Sequence, residues 1–458
     1  MMKKSGVTPM LKWIVFIAAL AASLTAASSS PALAGDRVVT LREALQCSLK
    51  DNPEIRAFRE AVLGQRENIG IARSLLLPKL NFEERFMRTN NPTYAFMAKL
   101  NEQRFSQADF AISSLNSPSA VSDFQTSFSF EQPLFAPKAY IALDMAEKEV
   151  GAKGNDFERK KEEVAFRVFK TFLGVQTAKA YVGVAEKAVE DAKEHYRIAE
   201  SRYDNSLGLY SDVLRARVAL SSSEESLVSA QKDLEVAKRA LGLMLGLTES
   251  VDVTPDRPSF QVEDIDHYYG EALSRKDLLS LEEHHKNAEN ALRMANAGYL
   301  PSVGLGGTYQ LNDHRGPLRG EGDSWQLVAF LRWDIFDGTK REHEREKAKH
   351  KIAETAEYLD GLKKELRYKV YAAYLGVDES KKGLELARAA LKSAQEGSRL
   401  VLKRYENSLS TIVDLLDVQT SLDAARADVV RKEGAYLTAI ANLGFQSGTL
   451  LRQLGVED

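Results

Sequence analysis

Residues 202–220 read RYDNSLGLYSDVLRARVAL, and residues 404–422 read RYENSLSTIVDLLDVQTSL. Eight of the nineteen positions are identical across a shift of 202 residues, and both copies place an aspartate just past a short polar segment. Such self-similarity over a long interval is typical of a chain that contains two copies of one structural unit. The order of elements around these two segments therefore decides the fold.

Similar pairs of segments occur outward from the two copies. ARSLLLPKLNFEERF (72–86) resembles MANAGYLPSVGLGGTYQ (294–310), and EQPLFAPK (131–138) resembles RWDIFDGTK (332–340). The sequence predicts a first repeat over 35–246, a linker over 247–265 that contains Pro255 and Pro258, and a second repeat over 266–458. The predicted strands lie at about 78–88, 122–135, 301–312 and 324–336, and the predicted long helices at about 137–203, 211–246, 339–404 and 411–445.

The predicted strands alternate apolar and polar side chains. Phe124, Phe128 and Phe130 alternate with Gln125 and Ser127, for example. Strands of about ten residues with one apolar face have the length that a tilted outer-membrane strand requires. An ordinary two-layer sheet would show the same alternation.

The helical regions carry a coiled-coil pattern. Large residues recur every seven positions, as at Val175, Val182 and Val189, with small residues such as Ala178 and Ala185 between them. This seam of alternating large and small residues lets helices pack closely into a wall. A helix over 137–203 would be roughly 100 Å long at 1.5 Å per residue, so we expect it to span a distance rather than fill a globular core.

The N-terminal residues 1–34 have the features of a secretory signal peptide. Three lysines precede an apolar run of fifteen residues, and Ala32-Leu33-Ala34 offers a cleavage site. The run is shorter than the roughly 20 residues that a spanning helix needs. Removing 1–34 leaves 59 basic against 65 acidic residues, a net charge of −6, which gives no indication of a nucleic-acid partner.

Four amphipathic strands cannot close a membrane barrel, because the smallest have eight strands. An open sheet would leave unpaired edges in lipid. If the strands lie in a membrane, several chains must combine them, and three chains would supply twelve.

The signal peptide, the duplicated strand–hairpin–strand–helix unit, LREALQCSLKDNPEI (41–55) and the two RY segments together resemble the TolC family of outer-membrane factors. The resemblance covers essentially all of the chain after residue 34. It implies a mixed α and β membrane protein: a homotrimer with a 12-strand outer-membrane β-barrel, four strands per chain, continuous with a long periplasmic α-helical barrel. It also implies a Gram-negative outer-membrane location, a periplasmic adaptor and an inner-membrane transporter as partners, and extracellular hairpin loops at 89–120 and 313–323.

The same resemblance assigns roles to the two RY segments, as turns that close the tube at its periplasmic tip. Asp414 and Asp417, three residues apart on one helical face, would ring the pore constriction together with Asp212. An aspartate in such a position is also a common helix cap, and for Asp212 this alternative stays open. The remaining assignments are tip gating or packing for Tyr203, Tyr405, Arg202 and Arg404, and adaptor contact for Leu207, Gly208, Leu409 and Ser410. Some relatives carry an arginine where this chain has Ser410, so one closing link is in doubt.

Two other classes of protein fit the sequence less well. The seven histidines form no HExxH pattern and GLGGT (304–308) lacks the spacing of a phosphate loop, so we expect no enzyme, cofactor or metal site. A periplasmic coiled-coil adaptor or scaffold would explain the heptads and the export but not four strands of membrane-spanning length. The sequence therefore favours the exit duct of a tripartite efflux or type I secretion system, with its cargo unspecified.

Overall fold

The computed structural model describes residues 37–256, 258 and 260–456. The predicted signal peptide over 1–34 lies outside the described residues. The described chain contains short elements, a four-stranded sheet and four helices of 35 residues or more.

The first part of the chain runs from the N-terminal side of the described region into the first long helical hairpin. Its elements are β1 (Arg37–Val39), α1 (Leu41–Asp51), α2 (Pro53–Ser74), β2 (Lys79–Thr89), α3 (Pro92–Asn101), α4 (Ile112–Asn116), β3 (Val121–Phe135), α5 (Pro137–Asp204) and α6 (Tyr210–Met244).

The second part begins with a short strand and contains the second long hairpin. Its elements are β4 (Val251–Val253), α7 (Ile265–Ala272), α8 (Lys276–Ala297), β5 (Ser302–Asp313), β6 (Gly322–Arg332), α9 (Lys340–Glu406), α10 (Ile412–Ser447) and α11 (Leu450–Gln453).

The four long strands form one antiparallel sheet in the order β2-β3-β5-β6. The register places one aromatic side chain of each strand in a single row across the sheet: Phe82, Phe128, Tyr309 and Trp325. The neighbouring row on the other face holds only polar side chains: Asn81, Ser129, Thr308 and Gln326. The alternation in the sequence therefore produces one apolar and one polar face.

The apolar face of the sheet is not covered within the chain. Leu80 is 81% exposed and Trp325 is 76% exposed. Exposed apolar patches of this kind mark surfaces that meet a membrane or another protein. The strands β2 and β6 are the two edges of the sheet.

Three local features differ from the sequence prediction. Strand β6 ends at Arg332 rather than near 336, because Arg332 pairs with Ser302, the first residue of β5. The carbonyls of Asp334 and Ile335 instead accept hydrogen bonds from the guanidinium of Arg341. The connection between β2 and β3, expected as a loop, contains helices α3 and α4. The predicted linker contains β4, which pairs in parallel with β1.

The long helices pack as two antiparallel hairpins, α5 against α6 and α9 against α10, and α5 also packs against α10. The largest apolar core lies where α1, β1 and β4 meet the middle of α5, and it includes Leu45, Val168, Phe172 and Leu241. A smaller core at the far end of the hairpins surrounds Tyr405 and includes Ala199, Ala216, Ile412 and Leu415. The two hairpins are therefore joined along their length and again at their turns.

Candidate functional site

The two hairpin turns have the same backbone conformation. Ser206 and Ser408 adopt positive φ angles of 60° and 64°, the left-handed region that reverses the chain after a helix. In each turn a leucine N–H donates to the carbonyl of the RY arginine: Leu207 to Arg202 at 2.7 Å and Leu409 to Arg404 at 2.8 Å. The shared sequence therefore specifies a shared turn geometry.

Arg202 connects the two turns. Its Nη1 donates to the carbonyls of Tyr405 and Glu406 at 2.5 and 3.0 Å, and its Nη2 donates to Ser408 Oγ at 3.0 Å. The same Nη2 also donates to the carbonyl of Leu207 in its own turn at 3.0 Å. Because one planar guanidinium serves both turns, Arg202 holds them in a fixed relative position.

Arg404 is in the same place in the second turn but has fewer partners. Its Nη2 donates to the carbonyl of Leu409 at 3.3 Å, the counterpart of the bond from Arg202 to Leu207. Within the part of the chain that the structure describes, Arg404 makes no hydrogen bond to the first turn. Its side chain is exposed, in contrast to the half-buried Arg202.

The two RY tyrosines have different surroundings. Tyr405 is 2% exposed, and the Arg202 guanidinium carbon lies 4.8 Å from the centre of its ring, the distance of a cation–π contact. Burial and the nearby Asp212 carboxylate raise the pKa of Tyr405, so its phenol stays neutral. Tyr203 is 44% exposed and stacks obliquely on Tyr210 at 5.3 Å between ring centres.

Asp414 is a helix-capping residue. Its Oδ2 accepts hydrogen bonds from the backbone N–H of Thr411 at 2.9 Å, the Thr411 hydroxyl at 2.8 Å and the Ser410 hydroxyl at 3.0 Å, while Thr411 Oγ1 accepts from the Asp414 N–H. This reciprocal pattern is a capping box. The backbone N–H of Thr411, followed by the two hydroxyls, lowers the pKa of the Asp414 carboxyl. The capping role considered for Asp212 thus applies to Asp414.

The other two acids of the predicted site are not helix caps. The helix that contains Asp212 begins without a side-chain cap, and Asp212 instead acts electrostatically on Tyr405 in the other turn. Asp417 is exposed one helical turn beyond Asp414. Of the three acids, Asp417 has the side chain most available to solvent ions.

The four residues at the ends of the turns form the surface farthest from the sheet. Leu207 and Leu409 are both exposed. A Cβ on Gly208 would lie 3.2 Å from the Arg202 Cβ, so this glycine allows the turn to close tightly. Ser410, the position at which some relatives carry arginine, contributes its hydroxyl to the Asp414 cap.

A buried polar cluster near the turns was missed by the sequence analysis. His195 Nε2 lies 3.2 Å from Gln419 Oε1, and Gln419 Nε2 donates to Asp191 at 3.2 Å. Arg426 bonds both Asp191 and Asp423, which ties α5 to α10. The signal was present in the sequence, because Gln419 lies between Leu415 and Leu422 on the heptad seam, where a polar residue commonly fixes helix pairing.

The chain therefore combines a sheet with an uncovered apolar face at one end of long helices and two polar turns at the other. No helix among the described residues is both long and apolar enough to span a membrane. This arrangement is typical of a protein that meets a membrane or another protein through its sheet.

Comparison with known proteins identifies the family. The sequence model of the family "Outer membrane efflux protein" matches residues 44–247 and 268–449, and the chain belongs to this family. The chain is 20% identical over 427 residues to the outer membrane efflux protein BepC of Brucella suis, covering 91% of this chain and 87% of BepC. It is 22% identical over 437 residues to the outer membrane protein TolC of Escherichia coli, covering 90% and 83%. These relationships confirm the resemblance to the TolC family.

The fold agrees with this assignment. The crystal structure of the Campylobacter jejuni CmeC outer membrane channel superimposes with a TM-score of 0.74 at 16% identity, covering 90% of this chain and 86% of CmeC. The chain is therefore an outer membrane efflux protein by family and has the mixed α and β fold of such proteins.

Proposed function

We propose that this chain forms the outer-membrane exit duct of a tripartite efflux or type I secretion system, opened at its periplasmic tip by an adaptor and an inner-membrane pump. The observation that carries this proposal is the placement of the two turns and the apolar sheet at opposite ends of α5. With 68 residues, α5 is roughly 100 Å long at 1.5 Å per residue. Such a helix is long enough to extend from an outer-membrane sheet well into the periplasm.

The duct is a homotrimer in this proposal. Strands β2 and β6 are the edges of the sheet, and unpaired edges are not tolerated in lipid. Pairing β6 of one chain with β2 of the next would close a 12-strand barrel whose apolar face meets lipid. The polar face, with Asn81, Ser129 and Gln326, would then line the lumen.

The internal twofold repeat predicts how neighbouring chains meet along the helices. Within one chain, α5 of the first repeat packs against α10 of the second. The equivalent contact for the second repeat joins α9 to α6 of the next chain. Both surfaces carry exposed apolar side chains that this contact would cover: Tyr358, Tyr368, Leu375 and Leu386 on α9, and Val218, Val228 and Val236 on α6.

The equivalence of the two repeats also assigns a partner to Arg404 in the turns. A shift of 202 residues converts the bonds from Arg202 to Tyr405, Glu406 and Ser408 into bonds from Arg404 to Tyr203, Asp204 and Ser206 of the next chain. Tyr203 is the exposed member of the tyrosine pair and Arg404 the exposed arginine, so both have room for this contact. Three links within chains and three between chains would close the ring.

The closed ring would bring three copies of each acid around the threefold axis. Asp417 is then the main pore-facing carboxylate of the constriction, since it is exposed and the Asp414 carboxylate is occupied by its cap. A ring of carboxylates favours cations and is blocked by multivalent ones. Leu207, Gly208, Leu409 and Ser410 form the exposed end of the tip and are the proposed adaptor contacts.

A crosslinking experiment tests both the trimer and the equivalence of the two turns. In a Cys47→Ser background, the pair Arg404→Cys and Ser206→Cys is treated in intact cells with a flexible bis-maleimide. The proposal expects covalent trimers in the outer-membrane fraction. The matched pair Arg202→Cys and Ser408→Cys copies the contact seen within one chain and should give crosslinked monomers only.

Two results would contradict the proposal. A protein recovered in the soluble periplasmic fraction would support the coiled-coil scaffold instead of a membrane duct. Crosslinked monomers from the Arg404 and Ser206 pair would show that the second arginine has its partner within its own chain.

A further inference from the structure

We propose that the connection between β5 and β6 binds a divalent transition-metal ion of the zinc class through Asp313, His314 and Glu321. Asp313 is the last residue of β5, and Glu321 directly precedes β6, which starts at Gly322. The three side chains therefore come from the two ends of one short connection. Their possible ligand atoms, one per residue, all lie within 4.8 Å of one another.

The geometry of the cluster is close to that of a metal centre. His314 Nδ1 and Glu321 Oε2 are 2.5 Å apart and share a hydrogen bond. Two ligand atoms of a tetrahedral zinc ion, each about 2.0–2.2 Å from the metal, are separated by about 3.3 Å. A metal ion would replace the shared proton after these two atoms move apart by less than about 1 Å.

The backbone holds Asp313 in position. Its Oδ1 accepts hydrogen bonds from the N–H groups of Arg315 at 2.6 Å and Gly316 at 3.3 Å, and only 3% of its side chain is exposed. His314 and Glu321 are partly exposed, so an ion can reach the cluster from solvent. One imidazole nitrogen and two carboxylates are a donor set that zinc accepts, with water as the fourth ligand.

A further buried carboxylate lies beside the start of β6. Glu102 is fully buried; its Oε2 accepts a hydrogen bond from Arg104 Nε, and its Oε1 has no hydrogen-bond partner among the described residues. The preceding residue packs against the start of β6, since a Cβ on Gly322 would lie 1.9 Å from the Asn101 carbonyl oxygen. Burial raises the pKa of the Glu102 carboxyl, and the hydrogen bond from Arg104 opposes that rise. A divalent ion bound nearby would add to the charge compensation that Arg104 gives this buried carboxylate.

Arg315 is the natural competitor of the ion. Its side chain lies 3.4 Å from Glu321 and 3.9 Å from Asp313, and about half of it is exposed. In the metal-free chain it partly neutralises the two acids. Because it is long and exposed, it can turn into solvent when an ion enters. Removing its charge should therefore strengthen metal binding.

Metal titration of the purified, untagged protein in detergent tests this inference. After dialysis against a chelator and its removal, Co²⁺ is added alone and followed by its visible absorption, and Zn²⁺ is then used to displace it. We expect one ion per chain, with an absorption typical of nitrogen and oxygen ligands. His314→Ala should weaken binding by roughly tenfold or more, because even loss of an outer-shell partner costs that much.

Two further variants make the result specific. His350→Ala removes an exposed histidine of α9 far along the chain and should leave the affinity unchanged. Arg315→Gln should bind the metal more tightly than the unmodified chain, and circular dichroism reports whether each variant is folded. Absence of Co²⁺ absorption at saturating concentration, or equal affinity of folded His314→Ala, would overturn the proposal.

Discussion

Tyr405 and Tyr203 occupy the same position in two turns of the same sequence pattern, yet the structure buries the first and leaves the second half exposed. The exposure of the two arginines beside them is reversed: Arg202 in the first turn is half-buried, and Arg404 in the second turn is exposed. Arg202 reaches across to the second turn, whereas Arg404 bonds within its own turn. Because the two turns have the same backbone conformation, they differ only in the residues that surround them.

The tyrosine of the second turn is covered within the chain, whereas the tyrosine of the first turn is not. The second turn has its neighbour within the chain, and the first turn carries an exposed tyrosine that the same kind of neighbour would cover. In the trimer proposed above, both turns would have equivalent surroundings. Mutations at paired positions can therefore test whether the two turns are equivalent in the assembly.

Substitution of the RY arginines has the largest expected effect. Arg202→Ala removes four hydrogen bonds with a charged donor, three of them between turns, and bonds to charged groups contribute about 1.5–3 kcal/mol each before solvent screening. We expect a clear rise in single-channel conductance in planar bilayers. Arg404→Ala should raise conductance to a similar extent if it forms the equivalent link between chains.

Arg197→Ala is the matched control for these two variants. Arg197 lies on the same helix as Arg202 and, among the described residues, pairs only with Glu194, three residues away. Its substitution should leave conductance unchanged. A normal conductance of Arg404→Ala together with a raised conductance of Arg202→Ala would mean that the two turns are not equivalent in the assembly.

The polar cluster at Gln419 should give the next largest effect. Gln419→Ala leaves the buried ring of His195 without its partner, and such a loss costs about 1–3 kcal/mol. At the positions 202 residues away the chain has Gly397 for His195 and Arg217 for Gln419, so this cluster stabilises only the contact within a chain. We expect a lower midpoint of thermal unfolding, measured by circular dichroism.

Gln395→Ala, at an exposed position of α9, controls for the loss of a glutamine on a long helix. Equal midpoints for Gln395→Ala and Gln419→Ala would show that the cluster does not hold the two hairpins together.

The sequence predicts the long helices and strands well, because heptad spacing and alternation extend over many residues. The bounds of α5 and α9, for example, lie close to those expected from the pattern and the flanking Pro137 and Thr339. The end of β6 did not follow from the alternation of its residues, since it depends on where the partner strand β5 begins. Within the site, the cap could have been predicted, because Thr411 and Asp414 have the Ser/Thr-x-x-Asp/Glu spacing of a capping box. The added bond from Ser410 depends on the local turn geometry. The hydrogen bond between His195 and Gln419 forms only when the two hairpins pack together, so the sequence alone does not show it.

The acids of the second turn should show smaller and separable effects. Asp417→Asn should weaken the block of single-channel current by multivalent cations, because it removes the exposed carboxylate ring. Asp414→Asn should change the block less, and it should loosen the start of α10 because it weakens the reciprocal bonds with Thr411. Equal loss of block in both variants would contradict the division of roles between pore and cap.

The cap also has a defined pH dependence. Hydrogen bonds from Thr411 and Ser410 lower the pKa of Asp414 in the folded chain. The contribution of this carboxylate is therefore complete above the ordinary aspartate pKa and is lost as the pH falls through the lowered value. Circular dichroism should show the unmodified chain losing its advantage over Asp414→Asn only in that acidic range.

Removing the hydroxyl of Tyr405 should have the smallest effect of all. This oxygen is buried and has no hydrogen-bond partner among the described residues, while the ring packs against Ile412 and Leu415 and under Arg202. Tyr405→Phe keeps the ring and removes an unpaired polar atom. The closed tip should be equally or slightly more stable, and single-channel conductance should not rise. Tyr405→Ala removes the ring and should cost about 3–5 kcal/mol, as for other large buried aromatic residues. A higher conductance of Tyr405→Phe would show that the hydroxyl gains a partner in the assembly, and would make the tyrosine a polar link rather than a packing residue.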